Sequence, residues 1–283
     1  MTAKLYSYAL KTTWPKRPIR KGLILQWNDG WGEIAPLPGF SSETLDEARE
    51  EILSLLPDLA SAKPRLPSVQ FGIAAASQPF SIKPLKIPLG LLNIPRPGFS
   101  TLKLKLGHLS VEEAVQHVKT FLGSYRLRLD CNRSWSLDQA LFFARHFSPQ
   151  DFEYMEEPVR TFPELFRFSE LTGFPIAVDE SVLKFPYHQI PTLKAVVIKP
   201  TVVGSLPSLE IPLVLSSAFE SSLGLLQIAR RFKTGSPPAG LDTFRFFEDD
   251  LLVPPLKAED GCITWPGSGA CPIDRSKLDL LRN

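Results

Sequence analysis

The sequence predicts an α/β protein, in which a barrel of alternating strands and helices follows an α+β segment. From about residue 85 onward, short apolar runs alternate with helical patterns, which is typical of parallel βαβ units. Polar residues end successive runs at intervals of 17 to 26 residues, about the length of one βα unit. Residues 1–84 follow a different pattern, which predicts a separate capping domain.

The first segment reads as a hairpin followed by a helix. LILQWNDGWGEIAPL (23–37) predicts two strands that turn at Asn28-Asp29-Gly30. SSETLDEAREEILSLLPDL (41–59) predicts an amphipathic helix with an acidic first turn and a proline near its end. We therefore expect a capping domain over 1–84, a barrel over 85–249 and a C-terminal segment over 250–283 that returns to the capping domain.

Seven apolar runs predict the strands of the barrel, and the stretches between them predict its helices. In the stretch 110–123, Ser110 and Glu113 have the spacing of a capping box at a helix start. A second helical pattern spans 136–147. The predicted strands are 87–92, 101–106, 125–130, 152–157, 174–180, 193–199 and 211–217.

The polar residues at the ends of these runs indicate where a functional site would lie. In a parallel barrel the carboxyl ends of all strands open on one face, so these side chains converge there. A doubly wound sheet would instead spread them along an edge. TLKLKLG (101–107) adds Lys103, which shares a strand face with Lys105; a solvated amphipathic strand is the simpler alternative. The strand-end residues are Lys105, Asp130, Glu156, Asp179, Lys199 and Ser216.

Three of these residues suggest a metal site. Asp130, Glu156 and Asp179 would be an unfavourable cluster of negative charges unless a cation compensates them. Carboxylate ligands without histidine or cysteine suit Mg²⁺ or Mn²⁺. Each acid taken alone is better explained as a helix N-cap or a solvated loop residue, but the recurrence of all three in phase with the βα period favours the metal.

The two lysines at strand ends suggest a reaction. Lys105 and Lys199 lie on well-separated strands and would face each other across the metal. A buried lysine near other cations has a lowered pKa and can act as a base. Together with a metal that stabilises charge on a carboxylate, this arrangement suits removal of the proton α to that carboxylate through an enediolate.

Composition and charge narrow the classes of partner. The chain has 283 residues, 43% hydrophobic and 22% charged, and a net charge of +2 without a basic block, so we expect no nucleic acid partner. Its apolar stretches are too short to span a bilayer and its N-terminus lacks a signal-peptide pattern, so we expect no membrane partner. Cys131, Cys262 and Cys271 have no paired spacing, which predicts reduced thiols and a cytoplasmic location.

Several motifs together resemble the enolase superfamily, in which an α+β domain caps the barrel. They are K-x-K, D-x-N, E-E-P and D-E-S, followed by a later lysine. Within the superfamily, LRLDCNRSW, YMEEPV, AVDES, VIKPT and LSSAFESSLG resemble the o-succinylbenzoate synthase family of menaquinone biosynthesis. GWGEIAPLPGFSSET matches the mobile loop region of that family, and GLDTF near residue 240 matches its last barrel strand. The resemblance covers nearly the whole chain and implies a modified (β/α)8 barrel of the (βα)7β type.

The resemblance also implies an activity and the residues that perform it. The activity is Mg²⁺-dependent dehydration of 2-succinyl-6-hydroxy-2,4-cyclohexadiene-1-carboxylate to 2-succinylbenzoate. Asp130, Glu156 and Asp179 match the magnesium ligands. Lys105 matches the base that removes the α-proton, and Lys199 matches the opposing lysine that stabilises the enediolate by its charge.

Further residues match the substrate-binding positions of the family. Lys103 matches the first lysine of the K-x-K pair, for which the resemblance implies a supporting role beside Lys105. Ser216, Ser217 and Gly240 match the positions that hold the succinyl carboxylate. Arg128 either binds substrate or forms a structural ion pair. The segment 39–41 is a lid over the barrel mouth or an ordinary loop between domains. The predicted substrate-binding set is Lys103, Arg128, Asn132, Ser216, Ser217, Gly240, Phe40 and Ser41.

Two alternatives to this function stay open. The same residues suit a racemase of N-acylated amino acids or a dipeptide epimerase, with a lysine base on each face of the substrate. A non-catalytic barrel that serves as a binding protein is the alternative outside the enzymes. For the enzyme, we expect a small-molecule carboxylate as substrate and a monomer or weak homo-oligomer.

Overall fold

The computed structural model describes residues 3–14, 18–80, 84–179, 186–205, 211–267 and 271–282. Within these ranges the strands form a four-stranded antiparallel sheet, a seven-stranded parallel sheet and a three-stranded antiparallel sheet. Glu180, the last residue of the predicted strand 174–180, lies outside the described residues.

The N-terminal sheet begins with the predicted hairpin. Strands β1 (Ala3–Lys11), β2 (Ile19–Trp27) and β3 (Gly30–Ile34) are antiparallel neighbours. The chain turns between β2 and β3 at Asn28, whose φ of +52° lies in the left-handed region that asparagine tolerates. The hairpin prediction is confirmed.

Two helices cover this sheet, α1 (Leu45–Leu55) and α2 (Pro67–Ala76). The prediction that a helix begins near residue 41 is wrong by about four residues. Helix α1 begins after Thr44, because the Thr44 side chain accepts a hydrogen bond from Glu47 N and the Glu47 carboxylate accepts one from Thr44 N at 2.7 Å. The residues before Thr44 therefore form a loop.

The parallel sheet contains seven strands that neighbour one another in chain order, as in a βα barrel. Its helices include α3, where the predicted capping box of Ser110 and Glu113 is confirmed. Strand β4 (Leu85–Pro88) precedes the parallel sheet in the chain. The barrel strands are β5 (Leu91–Leu92), β6 (Thr101–Lys105), β7 (Arg126–Asp130), β8 (Phe152–Glu156), β9 (Ile176–Val178), β10 (Leu193–Ile198) and β11 (Leu213–Leu215). The helices are α3 (Val111–Lys119), α4 (Leu137–Ala144), α5 (Phe162–Thr172), α6 (Pro200–Val203) and α7 (Ser222–Ala229).

The run 87–92, predicted as one barrel strand, is divided in two. Its first part belongs to β4, which pairs with a strand from the C-terminal tail, and only β5 joins the barrel sheet. The division occurs at Leu89 and Gly90, which turn toward the segment 239–240. The competing pairing partner comes from far along the chain, so periodicity within the run could not reveal it.

The segment Ala239–Gly240 closes the barrel between β11 and the start of β5. Gly240 forms a parallel bridge with Ser216, and Ala239 forms one with Leu89. Gly240 N donates to the Leu215 carbonyl at 2.8 Å, and Gly90 N donates to the Ala239 carbonyl at 2.9 Å. The eighth position of the barrel is therefore a two-residue bridge directly before the LDTF sequence.

The C-terminal tail divides between two sheets. Strand β12 (Lys257–Glu259) pairs with β13 (Cys262–Trp265), and β13 pairs with β4 beside the barrel. Strand β14 (Asp279–Arg282) pairs with β1 in the N-terminal sheet. The domain boundaries at 84 and 249 stay predictions.

The observed architecture confirms the predicted α/β barrel with an N-terminal α+β domain. One core lies between the barrel sheet and its helices and contains Leu102, Leu104 and a group of phenylalanines. A second lies between the N-terminal sheet, α7 and the tail. None of the described helices is both long and apolar enough to cross a membrane.

A glycine sets the approach of α2 to the N-terminal sheet. A Cβ on Gly32 would lie 1.9 Å from the Gly72 carbonyl oxygen of α2. We expect Gly32→Ala to lower the free energy of unfolding by about 3 kcal/mol or more, because the backbones must separate. Gly173→Ala is the control: its Cβ would meet no atom within 4 Å, so only its φ of +67° costs energy, about 1 kcal/mol. Equal losses in urea unfolding would contradict this packing.

Candidate active site

The barrel mouth collects the ionisable residues that end the strands. Strands β6, β7 and β8 are parallel neighbours. In their register, the backbone of Lys105 lies beside that of Asp130, and the backbone of Asp130 lies beside that of Glu156. Asp179 directly follows β9, and Lys199 directly follows β10. A cavity of about 290 Å³ opens between this face and the N-terminal domain.

Lys103 points into the barrel and not into solvent. Leu102 and Leu104 on the same strand are fully buried on the opposite face, against the helices. Lys103 Nζ lies 2.8 Å from Asp130 Oδ2 and 2.7 Å from Glu156 Oε2, and its side chain is 18% exposed. The alternative of a strand with solvated lysines is therefore wrong for Lys103.

The three carboxylates are nearly inaccessible to water. Asp130 is 4% exposed, Glu156 2% and Asp179 7%. Burial acts to raise the pKa of Asp130, but the charges of Lys103 and Lys105 outweigh it, so that pKa is lowered. Burial and then the charge of Asp130 raise the pKa of Glu156. The pKa values of these adjacent carboxylates therefore shift in opposite directions, because lysine charges dominate at Asp130 while burial and the negative charge of Asp130 dominate at Glu156.

The lysines of the site have different environments. Burial acts to lower the pKa of Lys103, but Asp130 and Glu156 outweigh it and hold that pKa well above its ordinary value. Burial lowers the pKa of Lys199 to about 8, although its ammonium group forms an ion pair with Asp179. Among the described residues, no carboxylate lies within ion-pair distance of Lys105.

Lys105 and Lys199 lie on opposite sides of the barrel. They belong to β6 and to the end of β10, which are four positions apart in a ring of eight when the 239–240 bridge is counted. Both line the cavity. A planar substrate placed between them would present one face to each ammonium group.

The donor set of the predicted metal ligands suits a hard divalent cation, since Asp130, Glu156 and Asp179 supply only carboxylate oxygens. Within the described ranges, however, no three His, Cys, Asp or Glu side chains form a ready-made metal cluster. The physical reason is that each carboxylate is turned toward a lysine: Lys103 contacts two of them and Lys199 contacts the third. The ligand assignment stays a prediction.

The predicted carboxylate pocket lies at the end of β11. Ser216 and Ser217 line the cavity with Gly240, and Ser217 Oγ lies 2.8 Å from Thr243 Oγ1. A Cβ on Gly240 would lie only 3.0 Å from Ser216 Oγ, so a side chain here would crowd that hydroxyl. The structure brings these three predicted residues together.

Arg128 is engaged in contacts within the barrel. Its Nε and Nη2 donate to the Glu153 carboxylate at 2.8 and 3.1 Å, and Nη1 donates to the Pro238 carbonyl at 2.7 Å. Its guanidinium also stacks on the ring of Tyr154, 5.2 Å from the centroid. This geometry favours the structural ion pair over direct substrate binding, although Arg128 borders the cavity.

The remaining predicted residues lie at the mouth. Asn132 lines the cavity and its backbone N–H donates to Asp130 Oδ1 at 3.1 Å. The Phe40 ring lies over Lys199, with its centroid 5.8 Å from Nζ. Of the described residues, Phe40 borders the cavity and Ser41 does not; Ser41 Oγ instead accepts a hydrogen bond from Leu37 N at 2.9 Å.

Sequence reasoning missed three aromatic residues of the cavity wall. Tyr154 lies two positions before Glu156, so strand alternation could have placed it on the same face. Trp14 and Phe219 pack edge to face with centroids 5.2 Å apart, although one belongs to the N-terminal segment and the other to the loop after β11. No pattern within either segment predicts that contact.

Asp242 was also missed. It is buried at the cavity, where its carboxylate pairs with Arg96 at 2.6 Å and Arg245 at 2.8 Å. It also accepts a hydrogen bond from Leu92 N, so it ties the closing segment of the barrel to β5. Its place within the GLDTF sequence was the available signal.

The chain is similar in sequence to known proteins. The family model "MenC, N-terminal domain" matches residues 2–79, and "Enolase C-terminal domain-like" matches residues 93–195. An o-succinylbenzoate synthase of Pasteurella multocida is 31% identical over 96% of this chain and 94% of its own length. One from Haemophilus influenzae is 36% identical over 90% and 88%.

Solved structures share the fold. An enolase superfamily member from Roseovarius nubinhibens has a TM-score of 0.79 at 16% identity, covering 99% of this chain and 95% of that chain. The o-succinylbenzoate synthase of Thermosynechococcus elongatus, described as complexed with magnesium in its active site, has a TM-score of 0.68 at 24% identity. It covers 88% of this chain and 94% of its own.

The curated relatives and the matched family models thus define an enzyme with an enolase-like C-terminal domain. The chain belongs to the o-succinylbenzoate synthase family. The resemblance drawn from the motifs is confirmed, as is the prediction that the chain is an enzyme.

Lys103 provides a test of how the site compensates its charges. Lys103→Met leaves Asp130 and Glu156 adjacent, buried and without their shared cation. In metal-free buffer at pH 7 we expect the free energy of unfolding to fall by about 3 kcal/mol or more. Lys86→Met, an exposed lysine on β4, is the control and should change it by less than about 0.5 kcal/mol. If the two variants unfolded at the same urea concentration, Lys103 would not be compensating the carboxylates.

Proposed function

We propose that this chain dehydrates 2-succinyl-6-hydroxy-2,4-cyclohexadiene-1-carboxylate to 2-succinylbenzoate, as a carbon–oxygen lyase of menaquinone biosynthesis. The observation that carries the proposal is the pair of opposing lysines, Lys105 and Lys199, above three buried carboxylates in a chain of this family. Proton removal next to a carboxylate needs a base on one face and positive charge that stabilises the product of that step.

The three carboxylates are proposed to hold Mg²⁺. Asp130, Glu156 and Asp179 supply the oxygen donors that Mg²⁺ prefers, and Mn²⁺ accepts the same donors. Bound Mg²⁺ would stabilise the negative charge that develops on the substrate carboxylate during proton removal. The magnesium described in the T. elongatus synthase supports this assignment.

The roles of the lysines follow from their contacts. Lys103 stays protonated, because two carboxylates surround its ammonium group, so it supplies charge and does not accept a proton. Lys105, which has no such ion pair among the described residues, is proposed as the base that removes the α-proton and returns a proton to the departing hydroxide. Lys199, on the opposite face of the substrate, is proposed to stabilise the enediolate by its charge.

The remaining residues are proposed to bind and orient the substrate. The hydroxyls of Ser216 and Ser217 lie where they can donate to the succinyl carboxylate, beside Gly240. Asn132 and Phe40 lie at the mouth, where they can contact the substrate ring, and Lys103 supplies charge below it. The free thiols of all three cysteines support a reducing, cytoplasmic location.

The opposing lysines also favour a second candidate, a racemase of N-acylated amino acids or dipeptides. That reaction needs a competent base on each face of the α-carbon, and Lys105 and Lys199 occupy both sides of the cavity. The names of the relatives favour dehydration.

Asp179 provides a test of the metal proposal. We expect Asp179→Asn to lose most dehydration activity and the rise in melting temperature that Mg²⁺ produces in the wild type, because a ligand stabilises only the state that binds it. Asp138→Asn, an exposed residue of α4, is the control and should keep both. Full activity of Asp179→Asn after removal of the metal would exclude this residue as a ligand.

Arginine substitution distinguishes the proposed roles of Lys105 and Lys199, because arginine keeps the positive charge but cannot give up its proton in a protein. We expect Lys105→Arg to abolish dehydration and Lys199→Arg to retain part of it. The measurement is turnover of the cyclohexadiene acid by each variant.

A parallel measurement tests the racemase. Wild-type protein is incubated with both enantiomers of an N-acylamino acid in D₂O, and deuterium at the α-carbon is followed. Equal loss of dehydration in both arginine variants, together with exchange from both enantiomers, would favour the racemase over the synthase.

A further inference from the structure

A buried arginine joins two separate walls of the cavity. Arg20, on β2, is 5% exposed, and in the described part of the chain no carboxylate lies within ion-pair distance of it. Its guanidinium donates to five backbone carbonyls. Each of the five N–H groups of this buried side chain therefore has a hydrogen-bond acceptor. The acceptors are the carbonyl oxygens of Lys21 (2.9 Å), Ala35 (2.5 Å), Pro36 (3.0 Å), Ala218 (3.4 Å) and Phe219 (2.8 Å).

The first of these walls continues from β3. The ladder between β2 and β3 reaches Ile34, and Pro36 has no N–H with which to extend it. Arg20 takes over where the ladder stops, by binding the carbonyls of Ala35 and Pro36. It thereby fixes the start of the segment that carries Leu37 and Phe40 into the cavity.

The second wall is the turn after β11. Phe219 has a φ of +58°, a conformation that a bulky side chain rarely adopts and that persists where the surroundings impose it. Arg20 Nε donates to the Phe219 carbonyl, and Glu220 accepts from Ala218 N at 2.7 Å. The turn begins at Ser217, and both Ser217 and the Phe219 ring line the cavity.

We propose that Arg20 is a positioning residue for the reaction, which holds the segment 35–40 and the turn 217–219 at a fixed separation around the substrate. It touches none of the reacting groups; it acts through Phe40 on one wall and through Ser217 and Phe219 on the other. The proposal rests on the proposed function, since it assumes that the substrate occupies this cavity.

General packing of the N-terminal domain on the barrel does not depend on Arg20 alone. The buried Glu33 carboxylate accepts from Tyr8 Oη at 2.5 Å, from Ser221 N at 3.0 Å and from Gly224 N at 2.9 Å. Gln227 of α7 donates to the Trp31 carbonyl and accepts from Glu33 N. These contacts hold α7 to β3, so we expect Arg20 variants to keep the overall fold.

The test compares Arg20→Met and Arg20→Lys with Gln227→Met. Gln227 is the matched control, because it is 5% exposed and its hydrogen bonds to Trp31 and Glu33 join the same two domains outside the segments 35–40 and 217–219. We expect Arg20→Met to raise KM about tenfold and to keep kcat within about threefold of the wild-type value. This is the result expected when a variant loses binding energy that is equal for the substrate and the transition state. Arg20→Lys should recover part of this, since its three N–H groups can reach one wall.

A merely structural role would give a different kinetic result. It would lower the fraction of active enzyme, and so kcat, while KM stayed unchanged, as we expect for Gln227→Met. An unchanged KM in Arg20→Met would overturn the proposal. If Arg20→Met does not fold, Arg20→Lys carries the same comparison, with an unchanged KM again overturning the proposal.

Hydrogen exchange separates this proposal from the proposed function. We expect amides in both 35–41 and 216–221 to exchange faster in the Arg20 variants than in Gln227→Met, whether or not the wild type dehydrates the cyclohexadiene acid. Faster exchange in only one of these segments would overturn the proposal. Absence of turnover in the wild type would instead overturn the proposed function.

Discussion

The site depends on one electrostatic constraint, which is the burial of two carboxylates on neighbouring strands in register. Asp130 and Glu156 end β7 and β8 side by side, so two buried carboxylates occupy neighbouring positions at the mouth. Lys103 supplies the compensating ammonium group from β6, and Asp179 finds its partner in Lys199. Because these lysines are engaged, Lys105 is the cation of the mouth that no described carboxylate pairs with.

Closure of the barrel determines where the two remaining strand-end lysines lie. Closure by the 239–240 bridge completes a ring of eight positions and sets Lys105 and Lys199 on opposite sides of it. The same bridge brings Gly240 against Ser216. The N-terminal domain then supplies the outer wall, with Phe40 over Lys199 and Trp14 against Phe219. The cavity is therefore shared between two domains, each of which carries part of its lining.

Much of this site could be predicted because strand periodicity carries it. The interval between polar strand ends identified Lys105, Asp130, Glu156 and Asp179 without any contact information, since parallel strands bring their carboxyl ends to one face. Alternation on β6 likewise separated Lys103 from its leucine neighbours. The chemistry of these residue types then suggested proton removal next to a carboxylate as the reaction.

What could not be predicted depends on contacts between distant segments. The run 87–92 is divided because the tail supplies a competing strand for its first half. Arg128 had two possible roles until its pairing with Glu153 was known. Trp14 and Phe219 meet only when the two domains pack together, and the Arg20 contacts depend on the same packing. Patterns within a short stretch of sequence cannot predict contacts between such distant segments.

The most direct measurement is turnover of the cyclohexadiene acid by purified wild-type protein before and after treatment with EDTA, with appearance of the aromatic product as the readout. Our account predicts turnover that EDTA abolishes and that added Mg²⁺ restores. Folded protein that gives no aromatic product at saturating Mg²⁺, or product formation that is unaffected by EDTA, would contradict it.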